Sequence, residues 1–174
     1  TESGRLPTWV GVGGSPQSVV RTARHGLRLM LAIIGGQAER FAPYVDLYRR
    51  ATEQLGTEAF PVGMHSPGFV ADTDEQAKEL FFPAYKVQMD RIGKLRGWPP
   101  MSRIQFESEV KHGSLYVGSP ETVARKIAAS VQALGVGRFD LIYTVGPQEV
   151  GARTRAVELF GSKVAPMVRE IVAG

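Results

Sequence analysis

Trp9-Val10-Gly11-Val12-Gly13-Gly14-Ser15-Pro16-Gln17-Ser18-Val19-Val20 passes from strand to helix through two glycines. The apolar run from Trp9 to Val12 stops at Gly13-Gly14. Ser15 then offers an N-cap oxygen, and Pro16 suits the first helical position, where a missing N–H costs nothing. Val19, Val20 and Ala23 fall on the predicted helix and Gly26 ends it. The next apolar run, Leu29 to Ile34, is nearly continuous and closes at Gly35-Gly36, as expected of a strand covered on both faces. Strand, helix and strand in this order make a βαβ unit, and therefore a parallel sheet.

The alternation continues downstream. Phe41, Tyr44, Val45, Tyr48 and Leu55 share one helical face, and Pro61 to Val70 predicts a third strand. Asp72-Thr73-Asp74-Glu75 is an acidic helix start, with Asp72 the expected cap and Glu75 three residues on. Phe82, Tyr85, Met89 and Ile92 extend that helix, which Pro83 is expected to kink or interrupt. From Gly97 to Gly118, around Trp98-Pro99-Pro100, periodicity fails. That stretch reads as an inserted, partly helical excursion outside the core, and as a candidate mobile cover for a ligand site. Ser119-Pro120-Glu121-Thr122 opens a helix to about Leu134, Phe139 to Val145 predicts a strand, and Val157, Phe160, Val164 and Ile171 mark a last helix. The helix start Gly118-Ser119-Pro120-Glu121-Thr122-Val123-Ala124-Arg125 echoes Gly14-Ser15-Pro16-Gln17-Ser18-Val19-Val20-Arg21 nearly position for position. Shared capping chemistry accounts for the second copy.

With 174 residues, 43% of them hydrophobic, the chain is expected to form a single domain over residues 1–174. Its 21 basic and 17 acidic residues are interspersed, for a net charge of +4. That balance gives a mild attraction for anions and argues against nucleic acid as a partner. Cysteine is absent, which excludes disulfides, thiolate catalysis and cysteine-bound zinc. No apolar run nears the roughly 20 residues that cross a bilayer, so no membrane partner is expected and a cytoplasmic location is the default. Thr1-Glu2-Ser3-Gly4-Arg5 is not a signal peptide, and the start without Met reads as a chain that begins mid-protein.

Gly13, Gly14, Ser15 and Ser18 form the sharpest candidate site. Glycines let a backbone approach a phosphate closely, and the N–H groups and dipole of a helix start attract the dianion. Ser15 and Ser18, one helical turn apart, can add hydroxyl donors; simple capping accounts for the same residues. Ile33, Ile34 and Gly35 end the next strand and suit either a flat ligand or plain packing. His65, within a strand, stands between a structural histidine and one facing a site mouth, while His25 at a helix end and His112 in a polar stretch need no ligand. No histidine pair has metal-ligand spacing, so no metal is expected. No nucleophile–base set can be assembled, and no catalytic residue is named.

These segments, in this order, resemble the luciferase-like flavin monooxygenases. The resemblance is carried by Trp9 to Pro16 with the strand ending Ile34-Gly35-Gly36, by Val117-Gly118-Ser119-Pro120-Glu121-Thr122-Val123-Ala124, and by Phe139 to Tyr143 followed by Glu158-Leu159-Phe160-Gly161 and Val164-Ala165-Pro166. It implies an α/β fold, the C-terminal half of a TIM-like (β/α)8 barrel, whose complete form has about 250 residues. It also implies FMN, or alternatively a deazaflavin, with its phosphate at Gly13, Gly14, Ser15 and Ser18 and its ring over Ile33, Ile34 and Gly35. NAD(P)H is the possible reductant and a small organic molecule the substrate. The absent N-terminal half, or a second copy, is the expected partner. A non-catalytic half-barrel that binds a phosphorylated ligand or a partner chain is the rival reading.

Overall fold

The computed structural model describes Gly4 and residues 6–174; the reading of Thr1-Glu2-Ser3 and Arg5 lies outside the described residues. Five parallel strands form the sheet: β1 (Trp9–Val12), β2 (Arg28–Ala32), β3 (Gly63–Val70), β4 (Tyr116–Gly118) and β5 (Arg138–Ile142). β3 is the hub. Its first half pairs with β2, from Met30↔Gly63 to Ala32↔His65, and with β5, from Gly63↔Arg138 to Pro67↔Ile142. Its second half pairs with β4, Gly68↔Tyr116 to Val70↔Gly118. The four strands expected from the sequence are thus parallel and adjacent, and β4 joins them.

A proline inside this hub needs a physical account, because it cannot donate to a ladder. The His65 C=O accepts from the Ile33 N–H at 3.0 Å, so strand alternation turns the nitrogen of Pro67 toward the same edge. Pairing with β2 has already ended there, and no ladder bond is lost. Gly68 serves a close approach, since a Cβ at that position would run into the Tyr116 carbonyl of β4.

The helices α1 (Pro16–Arg24), α2 (Ala42–Leu55), α5 (Pro120–Leu134) and α7 (Ala165–Ala173) cover one face of the sheet. Alternate residues point at them: Val10 and Val12, then Leu29, Leu31 and Ile33, then Met64. Ser15 caps α1 and Gly26 follows its end, as the sequence implies. The opposite face carries Trp9, Met30, His65 and Asp140 in alternation, with the Arg28 and Arg138 guanidinium groups 5.6 and 4.9 Å from the Trp9 ring.

Three expectations are corrected. The stretch from Gly97 to Gly118 is not outside the core. It holds α4 (Arg103–His112), opened by a capping box between Ser102 and Gln105, and then β4. Phe106, Leu115 and Val117 are buried in a second core with Phe69, Phe81 and Tyr85. Its apolar residues come in pieces too short to show a period, which hid them. Pro83 does not interrupt α3, which runs unbroken over Asp74–Arg96. Phe81 and Tyr85 flank it and stack at 5.5 Å between centroids, clamping both turns to the same core. Finally, Thr73 rather than Asp72 caps α3, its hydroxyl accepting from the Gln76 N–H at 3.1 Å. Asp72 is instead drawn 2.6 Å from Arg155, on the helix α6 (Val150–Leu159).

Candidate functional site

Parallel barrels keep their chemistry at the C-terminal ends of their strands. A cavity of about 510 Å³ opens there. Gly13, Ala32, Ile34, Gly35 and Ile142, at or just past strand ends, form its floor together with Pro67 of β3. Tyr85, Met89, Ile92 and Arg96 make one wall from a single face of α3. Phe41, Trp98, Met101 and Glu109 close other sides, so the supposed excursion supplies a packed wall of the site, anchored through buried Phe106.

Of the loop, Gly13 lines this cavity; Gly14, Ser15 and Ser18 follow it into the start of α1 and do not line it. Gly14 has φ +132°, a backbone that L side chains rarely adopt, so the glycine is required by the turn itself. The Tyr44 hydroxyl donates to the Gly14 carbonyl at 3.1 Å, and the Tyr44 ring packs 5.8 Å from that of Phe41 on the cavity wall. The Ser15 hydroxyl accepts from the Ser18 N–H at 3.3 Å, and Arg21 donates to the Ser18 hydroxyl at 3.3 Å. No acidic residue lies in the first turn of α1. Donors and one cation therefore surround the loop.

The internal echo shows what such a loop accepts. At the start of α5, the Asp74 carboxylate takes the Ser119 N–H at 2.6 Å and the Thr122 hydroxyl at 3.0 Å. Burial alone would raise the Asp74 pKa, but these hydrogen bonds and Lys78 outweigh it and hold the carboxyl below its usual range. A Gly-Ser-Pro helix start in this chain thus binds an anionic oxygen by a backbone N–H and a hydroxyl. In the first copy Gln17 stands where the second has Glu121.

Strand alternation separates the remaining candidates. Ile34 is 57% exposed and lines the cavity with Gly35, whereas the side chain of Ile33 is fully buried against the helices. The part of Ile33 in a ring-contacting set is therefore not a side-chain one. His65 sits on the opposite face from the helices, level with Ala32 and Asp140, and does not line the cavity. Burial pushes its pKa down, Asp140 pulls it up less, and Nδ1 has no hydrogen-bond partner. His25 caps the end of α1, and His112 ends α4 on the outer flank.

That flank holds a larger concavity of about 940 Å³, between α4 and α5. Its half-buried lysine, Lys126, donates to the Val110 and Leu115 carbonyls at 2.6 and 2.9 Å, closing the end of α4. Burial lowers its pKa to about 8. Of its three carboxylates, Glu39, Asp74 and Glu107, Asp74 is committed to α5. The strand-end cavity, smaller but at the reactive end of the sheet, is the candidate active site. Sequence reasoning had placed Tyr85, Met89 and Ile92 on one apolar helix face without assigning that face to a cavity.

A family model described as luciferase-like monooxygenase matches residues 1–138. The monooxygenase RslO1 from Streptomyces bottropensis superposes with a TM-score of 0.72 at 21% identity, over 91% of this chain and 47% of that one. The oxygenating constituent of 3,6-diketocamphane monooxygenase from Pseudomonas putida, a type II Baeyer-Villiger monooxygenase in complex with FMN, gives 0.64 at 22%, over 92% and 48%. The coenzyme F420 dependent tetrahydromethanopterin reductase from Methanopyrus kandleri gives 0.62 at 17%, over 92% and 50%. The chain thus spans about half the length of these solved structures, and at such identities the likeness shows the fold. No curated protein matches it in sequence.

Proposed function

The chain belongs to the luciferase-like monooxygenase family, and from that premise we propose that it forms the C-terminal half of an FMN-dependent oxidoreductase acting on a small organic substrate. The observation that carries the cofactor reading is the meeting of the Gly13–Ser18 loop with a strand-end cavity, in a chain whose second copy of that loop holds a carboxylate. Backbone N–H groups of the loop and the hydroxyls of Ser15 and Ser18 would take the FMN phosphate, and Arg21 would add charge. Gly13 and Gly35 keep their parts of the floor free of side chains, which suits a flat ring, and Ile34 would offer it an apolar surface. When bound, the flavin supplies the redox chemistry, with NAD(P)H as electron source; the protein positions the cofactor and keeps water from it. Coenzyme F420, a deazaflavin, is the alternative, and the dependence of the Methanopyrus kandleri reductase on it supports keeping that reading.

The test is a flavin titration. Hydrogen bonds to a charged group contribute roughly 1.5 to 3 kcal/mol each. Replacing Ser15 and Ser18 together by Ala should therefore weaken FMN by about one to two orders of magnitude or more. Riboflavin, which has no phosphate, should bind both proteins equally. Equal FMN affinity would reduce the two serines to a helix cap, and tighter binding of a deazaflavin than of FMN would favour the alternative.

A further inference from the structure

The strand-end cavity is apolar along most of its wall, yet its mouth carries charge in one place. Two ionisable side chains with full charges, Glu109 and Arg96, line it. The Glu109 carboxylate is already committed: its Oε2 accepts the Gly36 N–H at 3.3 Å and the Ser114 N–H at 3.1 Å. Those bonds tie the end of β2 to the turn before β4, and they hold the negative charge inside the protein's own backbone donors. Arg96 differs. Its guanidinium lies 5.0 Å from the centre of the Trp98 ring, and among the described residues it forms no ion pair.

A guanidinium lying over an indole ring keeps N–H donors available for a planar anion. The end of α3 does not require Arg96 for its dipole, since Lys94 stands in the same last turn. Met89 and Ile92, at helical spacing before it, turn the same stripe of α3 toward the cavity. One stripe therefore presents apolar surface below and an unneutralised cation above.

We propose that the substrate of this cavity is an apolar molecule bearing a single anionic group, a carboxylate or its equivalent, and that Arg96 anchors that group at the mouth while Met89, Ile92 and Trp98 take the apolar body. The assignment rests on the cavity being the reaction site; it adds the substrate class and the residue that selects it.

The experiment compares 4-phenylbutyrate with 4-phenyl-1-butanol, two molecules alike in body and different in charge, by calorimetric titration near pH 7. The native chain binds the acid more tightly than the alcohol by roughly tenfold. Arg96→Gln loses that preference and keeps its affinity for the alcohol, which also shows that the cavity is intact. Arg96→Lys keeps part of the preference, since charge remains while the planar fork is gone. Equal binding of acid and alcohol by the native chain overturns the proposal, and so does a preference that survives Arg96→Gln. An FMN titration of the same proteins separates the two readings. Weakened FMN in Arg96→Gln would assign Arg96 to the flavin and overturn the proposal. Failure of FMN to bind either protein, with the acid preference intact, would remove the flavin reading and leave the anion anchor standing.

Discussion

At the scale of single residues, the two helix starts of the echo are set apart by one carboxylate. Asp74 fills the second with an internal anion, and its pKa is held down by the Ser119 N–H and the hydroxyls around it. A depressed carboxyl stabilises the fold above its unfolded pKa, and that stabilisation is lost as pH falls through the lower folded value. Asp74→Asn, which turns one acceptor into a donor facing Thr122, should cost about 1 kcal/mol near pH 7, after discount for partial exposure. The stability gap between native and variant should close in acid; a gap that persists in acid urea melts would reject the carboxylate as its source. His65 gives a second check. Burial lowers its pKa from 6.5, so its neutral form is the folded one and its contribution fades as pH drops. An NMR titration placing His65 at or above 6.5 would contradict that environment. Gly13, Gly14, Ser15 and Ser18 were legible in the sequence as a candidate loop because capping and anion binding ask for the same glycines and hydroxyls. Asp74 as occupant was not, because the contact spans 45 positions of chain.

Elements were legible where a period ran long enough to see. β1, β2, β3, β5 and the helices α1, α2 and α5 follow from alternation, caps and Gly stops. Segment Gly97–Gly118 failed that test because its core residues arrive singly: Phe106 on α4, then the short run Leu115 to Val117. Tertiary packing supplies what periodicity lacked. The Phe106 ring lies 5.0 Å from that of Phe82, 5.9 Å from Tyr85 and 6.4 Å from Phe81, so it holds α4 to α3 and with it the cavity wall at Met101 and Glu109. Phe106→Ala should lower the unfolding free energy by about 3 to 5 kcal/mol. It should also loosen the Trp98 environment, read as a red shift of its emission in a Trp9→Phe background. A loss below about 1 kcal/mol would mean that α4 is the peripheral excursion that its sequence suggests.

For the whole molecule, the helix-covered face is finished and the other face is not. A closed barrel fills its interior with layers of side chains drawn from alternate strands. Here four strands, β1, β2, β3 and β5, supply one side of such layers: Trp9 between Arg28 and Arg138, with Met30, His65 and Asp140 beyond. Met30 is buried there while Trp9, His65 and Asp140 are half-buried, and among the described residues β1 pairs only with β2, which leaves its other edge free. A half-buried apolar ring beside an unpaired strand edge favours association. The described residues include no helix long and apolar enough to cross a membrane. We propose that the free edge of β1 meets the N-terminal half of the barrel, or a second copy of this chain. Sedimentation of the isolated chain should show self-association at micromolar concentrations. Trp9→Glu, which puts a carboxylate between Arg28 and Arg138 in place of an apolar ring, should shift it toward monomer without unfolding the helix-covered core. Emission from Trp9, isolated in a Trp98→Phe background, should move to shorter wavelength as concentration rises and the ring leaves water. A compact monomer whose Trp9 emission does not change with concentration would show that the half-barrel closes on itself.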